Sequence, residues 1–342
     1  MSKTRVVVIG AGAIAQRRHL PEYATRKDVE LVGLVDINKP RAAAIAEKYN
    51  VPEIFTDYRD ALKLAPDAVS VCTPNVYHAE QTIAALRRGA HVLCEKPMAL
   101  SVKEVRAMIA AGKKAKRQVM IGHNQRMNDS HVRGREIYRS GLVGRCIGFS
   151  TTFCHGGPDG WSVDLAKGFF FKKKLAGLGA LADLGVHKVD FVRWFLQDEI
   201  ESVAAMSGTL VKKNCEVDDT AFAVLRMRSG ILGQMFAGWI GQGGNGTQFY
   251  CEHGQIMLET DPEFPVVVVR KNGERICIKL RKIQTNEAGG QYRTGVIDGF
   301  IDAIRAGKKV PIPGEEGGQS VAAVLAAVQS SATGRAVRVV KV

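Results

Sequence analysis

Several features that define whole classes of protein are absent from this sequence of 342 residues. No apolar run approaches the ~20 residues that a transmembrane helix needs. The seven cysteines are odd in number and scattered, and no two of them form a C-x-x-C pair. This usage predicts reduced thiols in a cytoplasmic protein, with neither disulfides nor a metal site. There is also no internal repeat and no low-complexity segment.

Acidic residues are scarce relative to basic ones, which leaves a formal net charge of +14. The basic residues are dispersed, and their densest clusters are Lys113–Arg117, Lys172–Lys174, and Arg270-Lys271 with Arg281-Lys282. No helix-turn-helix motif or aromatic RNA-binding signature accompanies them. We therefore expect a solvated surface that steers an anionic cofactor or substrate, and no nucleic-acid partner.

The N-terminal stretch is the most informative part of the sequence. The β-branched run that ends at Ile9 predicts a strand buried on both faces. Gly10 then permits a tight turn, Gly12 lets the backbone approach a ligand, and Ala15 is small enough for close helix–strand packing. Such a turn directs backbone N–H groups and the positive end of a helix at one point, so it predicts a pyrophosphate site.

A second apolar strand, Val29 to Val35, ends at Asp36. An acid at this position can accept hydrogen bonds from both hydroxyls of a ribose, which favours NAD because a 2′-phosphate would meet like charge. Lys39 and Arg41 are near enough to leave NADP open. The alternative is that Asp36 only begins a turn, although Asn38 could cap the next helix without it.

Strands alternate with helical spans as far as Gly122, which predicts a doubly wound parallel sheet. Ligands bind such sheets beyond the carboxyl ends of the strands. The glycine turn, Asp36, Thr73-Pro74-Asn75 and Glu95-Lys96-Pro97 all fall there. We expect residues 1–122 to form a dinucleotide-binding domain of the α/β class.

Beyond Gly122 the pattern changes to a helix, a polar loop from His155 to Lys174, a long helix from about Ala180 to Leu196, and then a series of short β-rich runs. We expect residues 123–342 to form an α+β domain with a large, mostly antiparallel sheet. Helices at about Tyr292–Ala306 and Gln319–Ser330 follow, and they could pack back on the first domain.

Three polar residues of the long helix, Asp183, His187 and Asp190, are spaced i, i+4 and i+7 and are predicted to share one face. A carboxylate one turn from an imidazole can orient it for acid–base work near neutral pH. Ordinary helix packing is the alternative. Lys96 has two interpretations as well: a solvated lysine, or one that Pro97 holds extended so that it projects from the ligand edge of the sheet.

Taken together, these segments resemble the glucose–fructose oxidoreductase / inositol dehydrogenase (Gfo/Idh/MocA) family over nearly the whole chain. Two departures stand out: Leu178 replaces a glycine that many members carry, and His123 follows Gly122 where members often have an aromatic residue. The resemblance is carried by Gly10–Ala15, Asp36, Cys72–Asn75 with His78, Glu95–Pro97 and Gly179–His187.

The resemblance implies an NAD(P)-dependent oxidoreductase that moves a hydride between nicotinamide and a secondary hydroxyl or ketone carbon of a sugar, sugar derivative or cyclitol. Lys96 would stabilise developing negative charge, His187 would exchange the proton, and Asp183 would bind a neighbouring hydroxyl and tune both. The cofactor would be held by Gly10, Gly12, Ala13, Ile14, Asp36, Thr73, Asn75, His78, Glu95 and Lys96.

Candidate substrate contacts are Arg126, His155 and Trp161, although Trp161 could equally be buried at a domain or subunit contact. The resemblance also implies a homodimer or homotetramer associated through the exposed face of the antiparallel sheet. Two further functions stay open at this point. One is a non-catalytic sensor of dinucleotides or sugars, and the other is a glycoside hydrolase that recycles bound NAD.

Overall fold

The computed structural model describes residues 2–241, 243–280 and 294–342. In that part of the chain two sheets form, and helices pack on both. No helix among these residues combines the length and the apolar character that crossing a membrane requires. The basic pair Arg281-Lys282 and the predicted helix start at Tyr292 lie outside the described residues.

The first sheet confirms the predicted doubly wound parallel arrangement. Its strands are Thr4–Ile9 (β1), Val29–Val35 (β2), Ile54–Phe55 (β3), Ala68–Val71 (β4), His91–Cys94 (β5) and Val119–Ile121 (β6). They pair in parallel in the order β3-β2-β1-β4-β5-β6. The strand order reverses between β1 and β4, and ligands of such sheets bind at the carboxyl ends of strands beside this reversal.

The helices that accompany this sheet are Leu20–Thr25 (α1), Lys39–Tyr49 (α2), Tyr58–Ala61 (α3), His78–Arg87 (α4) and Val102–Ala115 (α5). Local chemistry sets several of their ends, as the sequence predicts. Asn38 accepts a hydrogen bond from the Arg41 amide to cap α2, and Ser101 accepts one from the Glu104 amide to cap α5.

Pro21 lies within the first helical span and does not end it. One turn over Ala15–His19 is wound as a π-helix, and α1 continues from it with Pro21 at its start. A proline is tolerated in a first turn because its missing N–H would have no partner there.

The second sheet occupies the later part of the chain, and it confirms the expected mostly antiparallel arrangement. Its strands are Cys146–Cys154 (β7), Ile200–Gly208 (β8), Thr220–Met227 (β9), Leu232–Gly238 (β10), Thr247–Cys251 (β11), Gly254–Leu258 (β12), Val266–Arg270 (β13), Arg275–Ile278 (β14) and Val337–Arg338 (β15). The order is β14-β13-β12-β11-β7-β10-β9-β8-β15, with one parallel pair, β7 with β10.

Helices cover one face of this sheet and leave the other open. These helices are Asp129–Arg139 (α6), Val186–Leu196 (α8) and Gly314–Thr333 (α10). Two further helices lie elsewhere: Lys173–Ala176 (α7) packs near the segment that follows β4, and Val296–Arg305 (α9) packs on the first sheet. Along β9, Ala221, Ala223 and Leu225 are buried beneath the helices, whereas Phe222 and Val224 are exposed. Successive strand residues point to opposite faces, so the open face is apolar as well.

The two C-terminal helices join the sheets. In α9, Phe300 and Ile301 belong to the hydrophobic core of the first sheet. The α10 helix packs on α5 and β6 of the first sheet and on β8 and α8 of the second. A cleft opens between the two parts at the carboxyl ends of β1, β4 and β5.

Candidate active site

The glycine turn lies at the floor of the cleft. Gly10 has φ +97°, and a Cβ at this position would lie 2.7 Å from the carbonyl oxygen of Cys72, so only glycine fits here. A Cβ on Gly12 would meet nothing within 4 Å, because this part of the backbone faces the open cleft. Ala13 and Ile14 follow it and also line the cleft.

Asp36 lines the same cleft at the end of β2, and its carboxylate is held by backbone amides. One oxygen accepts from the Ala11 amide at 2.9 Å, and the other accepts from the Asn38 amide at 2.8 Å. The carboxylate therefore ties the glycine turn to the end of β2. Each carboxylate oxygen can accept a second hydrogen bond, so this structural role leaves capacity for a ligand.

The cleft has a volume of about 600 Å³ and draws its walls from both parts of the chain. This volume lies within the ~300–1,000 Å³ typical of ligand pockets. The positions predicted to hold the cofactor line it together: Gly10, Gly12, Ala13, Ile14, Asp36, Thr73, Asn75, His78, Glu95 and Lys96. The opposite wall carries Phe153, His155, Trp161, Asp183 and His187.

Polar side chains brace the strand ends at the cleft. The His78 ring lies 2.8 Å from the carbonyl oxygens of both Thr73 and Pro97, so it links the segments after β4 and β5. Thr73 donates to Gln81 at 2.6 Å, and Asn75 donates to the carbonyl of Ala176 at 2.9 Å. The Asn75 bond crosses the cleft to the second part of the chain.

Glu95 anchors a buried polar chain beneath the cleft. His19 Nε2 donates to Glu95 Oε1 at 2.9 Å, and Arg18 donates to the same oxygen at 3.2 Å. Behind them, His19 Nδ1 and the Tyr23 hydroxyl both lie within hydrogen-bond distance of the Ser70 hydroxyl, at 3.1 and 2.8 Å. Burial alone would raise the pKa of Glu95, but the His19 hydrogen bond and the Arg18 charge lower it to about 2.

Lys96 and Asp183 meet across the cleft. Lys96 Nζ donates to Asp183 Oδ1 at 2.6 Å and to the Asp183 carbonyl oxygen at 3.0 Å. The other carboxylate oxygen of Asp183 accepts from Trp239 Nε1 at 3.1 Å. Both side chains are largely buried, with 15% and 9% exposure for Lys96 and Asp183. The first and second parts of the chain therefore contribute one member each to this ion pair.

His187 lines the cleft beside this ion pair. Its ring packs edge-on against Phe153 and His123, with centroid distances of 5.6 and 6.1 Å. Nδ1 has no hydrogen-bond partner among the described residues. Burial first, and then the Lys96 charge, hold the pKa of His187 well below its usual range. The imidazole is therefore uncharged at neutral pH.

The shared face predicted for the long helix holds for Asp183 and His187, which both line the cleft, but not for Asp190. Asp183 makes its hydrogen bonds to Lys96 and Trp239 rather than to His187, because the turn over Leu181–Gly185 is a π-helix. Asp190 faces away from the cleft. Both of its oxygens accept from Arg126 at 2.6 Å.

The substrate role expected for Arg126 is also incorrect. Its guanidinium is buried, forms a two-fold ion pair with Asp190, and donates to Glu316 at 3.0 Å. It is not among the residues that line the cleft. Arg126 thus joins the start of the second part to α8 and α10.

The other two substrate candidates do lie on the cleft. Trp161 packs edge-on against His155 and Phe170, with centroid distances of 6.2 and 5.1 Å. Trp161 Nε1 has no hydrogen-bond partner among the described residues. The loop from His155 to Lys174 thus forms a wall of the cleft.

Sequence reasoning missed several residues of the site. Arg18, His19 and Trp239 hold Glu95 and Asp183, but none of them belongs to a motif that marks a contact across the fold. Gly179 begins the segment that carries the resemblance, and the structure shows why a glycine stands there. A Cβ there would lie 1.8 Å from the backbone oxygen of Asp218, whose carboxylate accepts from the amides of Gly179 and Leu181.

The residues present fit a bound dinucleotide. The glycine turn offers backbone without side chains to the cleft, as a pyrophosphate requires. The acid at the end of β2 suits a ribose diol. At the other side, the His187 ring and the Lys96–Asp183 pair line the cleft and supply groups that can exchange a proton with a substrate.

Comparison with known proteins agrees with this geometry. Residues 4–123 match the model of an oxidoreductase family with an NAD-binding Rossmann fold, and residues 131–257 match the GFO/IDH/MocA C-terminal domain. The chain is 30% identical to D-glucoside 3-dehydrogenase of Escherichia coli, over 97% of this chain and 96% of that protein. It is 26% identical to myo-inositol 2-dehydrogenase of Thermotoga maritima, over 99% of both chains.

Among solved structures, levoglucosan dehydrogenase in complex with NADH and levoglucosan superposes with a TM-score of 0.85 at 24% identity, over 99% of this chain and 100% of that one. This likeness supports the two-sheet fold. The chain belongs to the GFO/IDH/MocA family of oxidoreductases and is an NAD-dependent enzyme with a Rossmann fold.

Proposed function

We propose that this enzyme transfers a hydride between NAD and a secondary hydroxyl or ketone carbon of a sugar, sugar derivative or cyclitol. The observation that carries the proposal is the 2.6 Å contact between Lys96 and Asp183 in the cleft that His187 also lines. The substrate class follows the relatives, which are named for a glucoside and for myo-inositol.

The roles of the three residues follow from their contacts. Bound NAD supplies the hydride acceptor or donor, and the chain supplies position and charge. The neutral imidazole of His187 takes the hydroxyl proton during oxidation and returns it during reduction. Lys96 donates two of its three ammonium N–H groups to Asp183. The third N–H can therefore donate to the reacting oxygen as negative charge develops there.

Asp183 acts in this proposal by holding Lys96. Both of its carboxylate oxygens are engaged, one by Lys96 and one by Trp239. The pair therefore has a single arrangement before substrate binds, and such preorganisation is what electrostatic catalysis requires. Residues 1–122 would serve as the dinucleotide-binding domain, and residues 123–342 would supply the substrate wall with His155 and Trp161.

The test is a spectrophotometric screen of sugars, sugar acids and inositols with NAD and NADP. Lys96→Ala should abolish hydride transfer on any substrate found and should keep NADH binding, while the exposed Lys103→Ala should match the wild type. Tight NADH binding without turnover on any polyol would favour a sensor. Glycoside cleavage with no net NADH would favour an NAD-recycling hydrolase.

We also propose that the enzyme is a homodimer or homotetramer in the cytoplasm. The open sheet face exposes Met206, Phe222, Val224 and Leu232, and a contiguous apolar surface of this kind favours association. The seven cysteines are unpaired thiols, as in a reducing compartment. Phe222→Glu should lower the mass measured by light scattering, whereas Leu142→Glu, at an exposed turn, should not.

A further inference from the structure

The dinucleotide cleft has arginines near Asp36, and each forms an ion pair. Arg59 is paired within its own turn with Asp57 at 2.6 Å. Arg41 lies on the first turn of α2, and its Nη2 is 3.1 Å from Asp164 Oδ1. Asp36, Arg41, Arg59 and Asp164 all line the cleft.

The Arg41–Asp164 pair differs from the Arg59–Asp57 pair in its origin. Asp164 belongs to the loop from His155 to Lys174, which the second part of the chain sends across the cleft. Arg41 is, with Lys39, one of the two cations that the sequence leaves available for a 2′-phosphate, and it lines the cleft from the first turn of α2. The ion pair therefore brings a carboxylate from the far wall onto this cation.

We propose that Asp164 is a cofactor-specificity residue, which disfavours NADP by neutralising Arg41. This inference rests on the proposed placement of the adenosine ribose at Asp36. A 2′-phosphate at that ribose would meet the Asp36 carboxylate, the exposed Ile37 side chain, which has no polar group, and an arginine whose charge is already paired. NAD needs no cation at this position, because its ribose carries only hydroxyls.

The experiment measures dissociation constants of NADH and NADPH by fluorescence titration, so it does not depend on a known sugar substrate. Asp164→Asn should free Arg41 and tighten NADPH relative to NADH by about three- to ten-fold. Raising the ionic strength should shrink this gain, because screening weakens an exposed charge–phosphate contact. Arg41→Ala alone should change the NADPH/NADH ratio little, since the arginine is already neutralised.

The double variant Arg41→Ala/Asp164→Asn tests whether the tighter NADPH binding expected for Asp164→Asn depends on Arg41. The inference predicts that, in this double variant, the ratio of the NADPH dissociation constant to the NADH dissociation constant returns to the wild-type value. A gain that persists without Arg41 overturns the inference, because the phosphate then uses another cation of the cleft wall such as Lys167.

Asp159→Asn is the matched control for net charge. It removes a carboxylate from the same loop, but Asp159 pairs with Lys212 at 2.8 Å and does not line the cleft. The ratio of its NADPH and NADH dissociation constants should equal that of the wild type. An equal gain in Asp159→Asn and Asp164→Asn would overturn the inference, since any lost carboxylate would then suffice.

Asp36→Ala separates this inference from the ribose placement. It should weaken NADH by about ten-fold and NADPH much less, because it removes two hydrogen bonds to a ribose diol and one like charge. If NADH affinity is unchanged, the ribose placement is wrong and the inference falls with it. If Asp36→Ala weakens NADH but Asp164→Asn leaves the ratio unchanged, only the role of Asp164 is overturned.

Discussion

Glu95 and His187 are two buried titratable groups on opposite sides of one cleft, and their surroundings differ. The Glu95 carboxylate is bonded by Arg18 and His19, and these contacts lower its pKa to about 2. Nδ1 of His187 is buried without a hydrogen-bond partner among the described residues, and burial together with the Lys96 charge holds the pKa of His187 well below the usual range.

The comparison separates a structural charge from a reactive base. A buried charge with every partner in place is costly to change and has no capacity left for chemistry. A neutral imidazole on the wall of the cleft can instead exchange a proton with a bound hydroxyl. Removing Glu95 should therefore affect stability, and removing His187 should affect turnover.

The largest expected effect is that of His187→Asn on turnover. We expect kcat to fall by about 10²- to 10⁴-fold, the usual contribution of a general base, with NADH affinity retained. His91→Asn is a matched control, since His91 is a half-buried histidine of β5 outside the cleft lining. If kcat of His187→Asn stayed within about two-fold of the wild-type value across roughly pH 6 to 9, His187 would not be the group that accepts the hydroxyl proton.

The second effect is on folding. Glu95→Gln leaves the Arg18 charge and the His19 donor without their carboxylate, so the free energy of unfolding should fall by about 3 kcal/mol. Urea denaturation followed by circular dichroism measures this change. The exposed Glu30→Gln should unfold like the wild type, and an equally stable Glu95→Gln protein would refute the structural role.

The pH dependence of unfolding, measured for the wild type and for Glu95→Gln, tests the structural role of Glu95 further. Since the folded-state pKa of Glu95 lies below the 4.5 of a free carboxyl, its stabilisation is complete above that pH and is lost as the pH falls toward about 2. The gap in unfolding free energy between wild type and Glu95→Gln should be constant near neutrality and should narrow in acid. A gap that widens below pH 4.5 would contradict the lowered pKa.

The smallest expected effect concerns a residue that acts through Asp183. Trp239→Phe removes one donor at 3.1 Å and keeps the ring, so kcat should fall only about five-fold, which corresponds to one hydrogen bond. KM for the sugar should change little. Trp194→Phe, a tryptophan of α8 outside the cleft, is the control. An unchanged kcat, or a loss seen only in protein stability, would limit Trp239 to packing.

Local sequence chemistry accounts for the cofactor side of the site. The glycine turn, the acid after β2 and the polar residues after β4 and β5 were all predictable, because strand ends and turns depend on nearby residues and on the fixed geometry of a parallel sheet. The short β-rich runs after the long helix likewise predicted a second, mostly antiparallel sheet, although they did not include its edge strand Val337–Arg338.

The incorrect sequence predictions concern side chains whose hydrogen-bond partners lie far along the chain. The i, i+4 spacing of Asp183 and His187 assumes a regular α-helix, but this turn is a π-helix and Asp183 bonds to Lys96. Arg126 is placed by sequence next to a strand end, yet it pairs with Asp190. Helical spacing describes neighbours on one element and says nothing about a residue 87 positions away.

By itself, the amino-acid sequence determined the two sheets, the glycine turn and the class of cofactor, since these follow from backbone geometry and from residues close together in the chain. Only the tertiary structure decided that Lys96 meets Asp183, that His19 and Arg18 bond to Glu95, that His187 lines the same cleft, and that Asp164 reaches Arg41. The reason is physical: a charge bonds to whichever partner the packed chain brings within about 3 Å, and that choice depends on the whole fold.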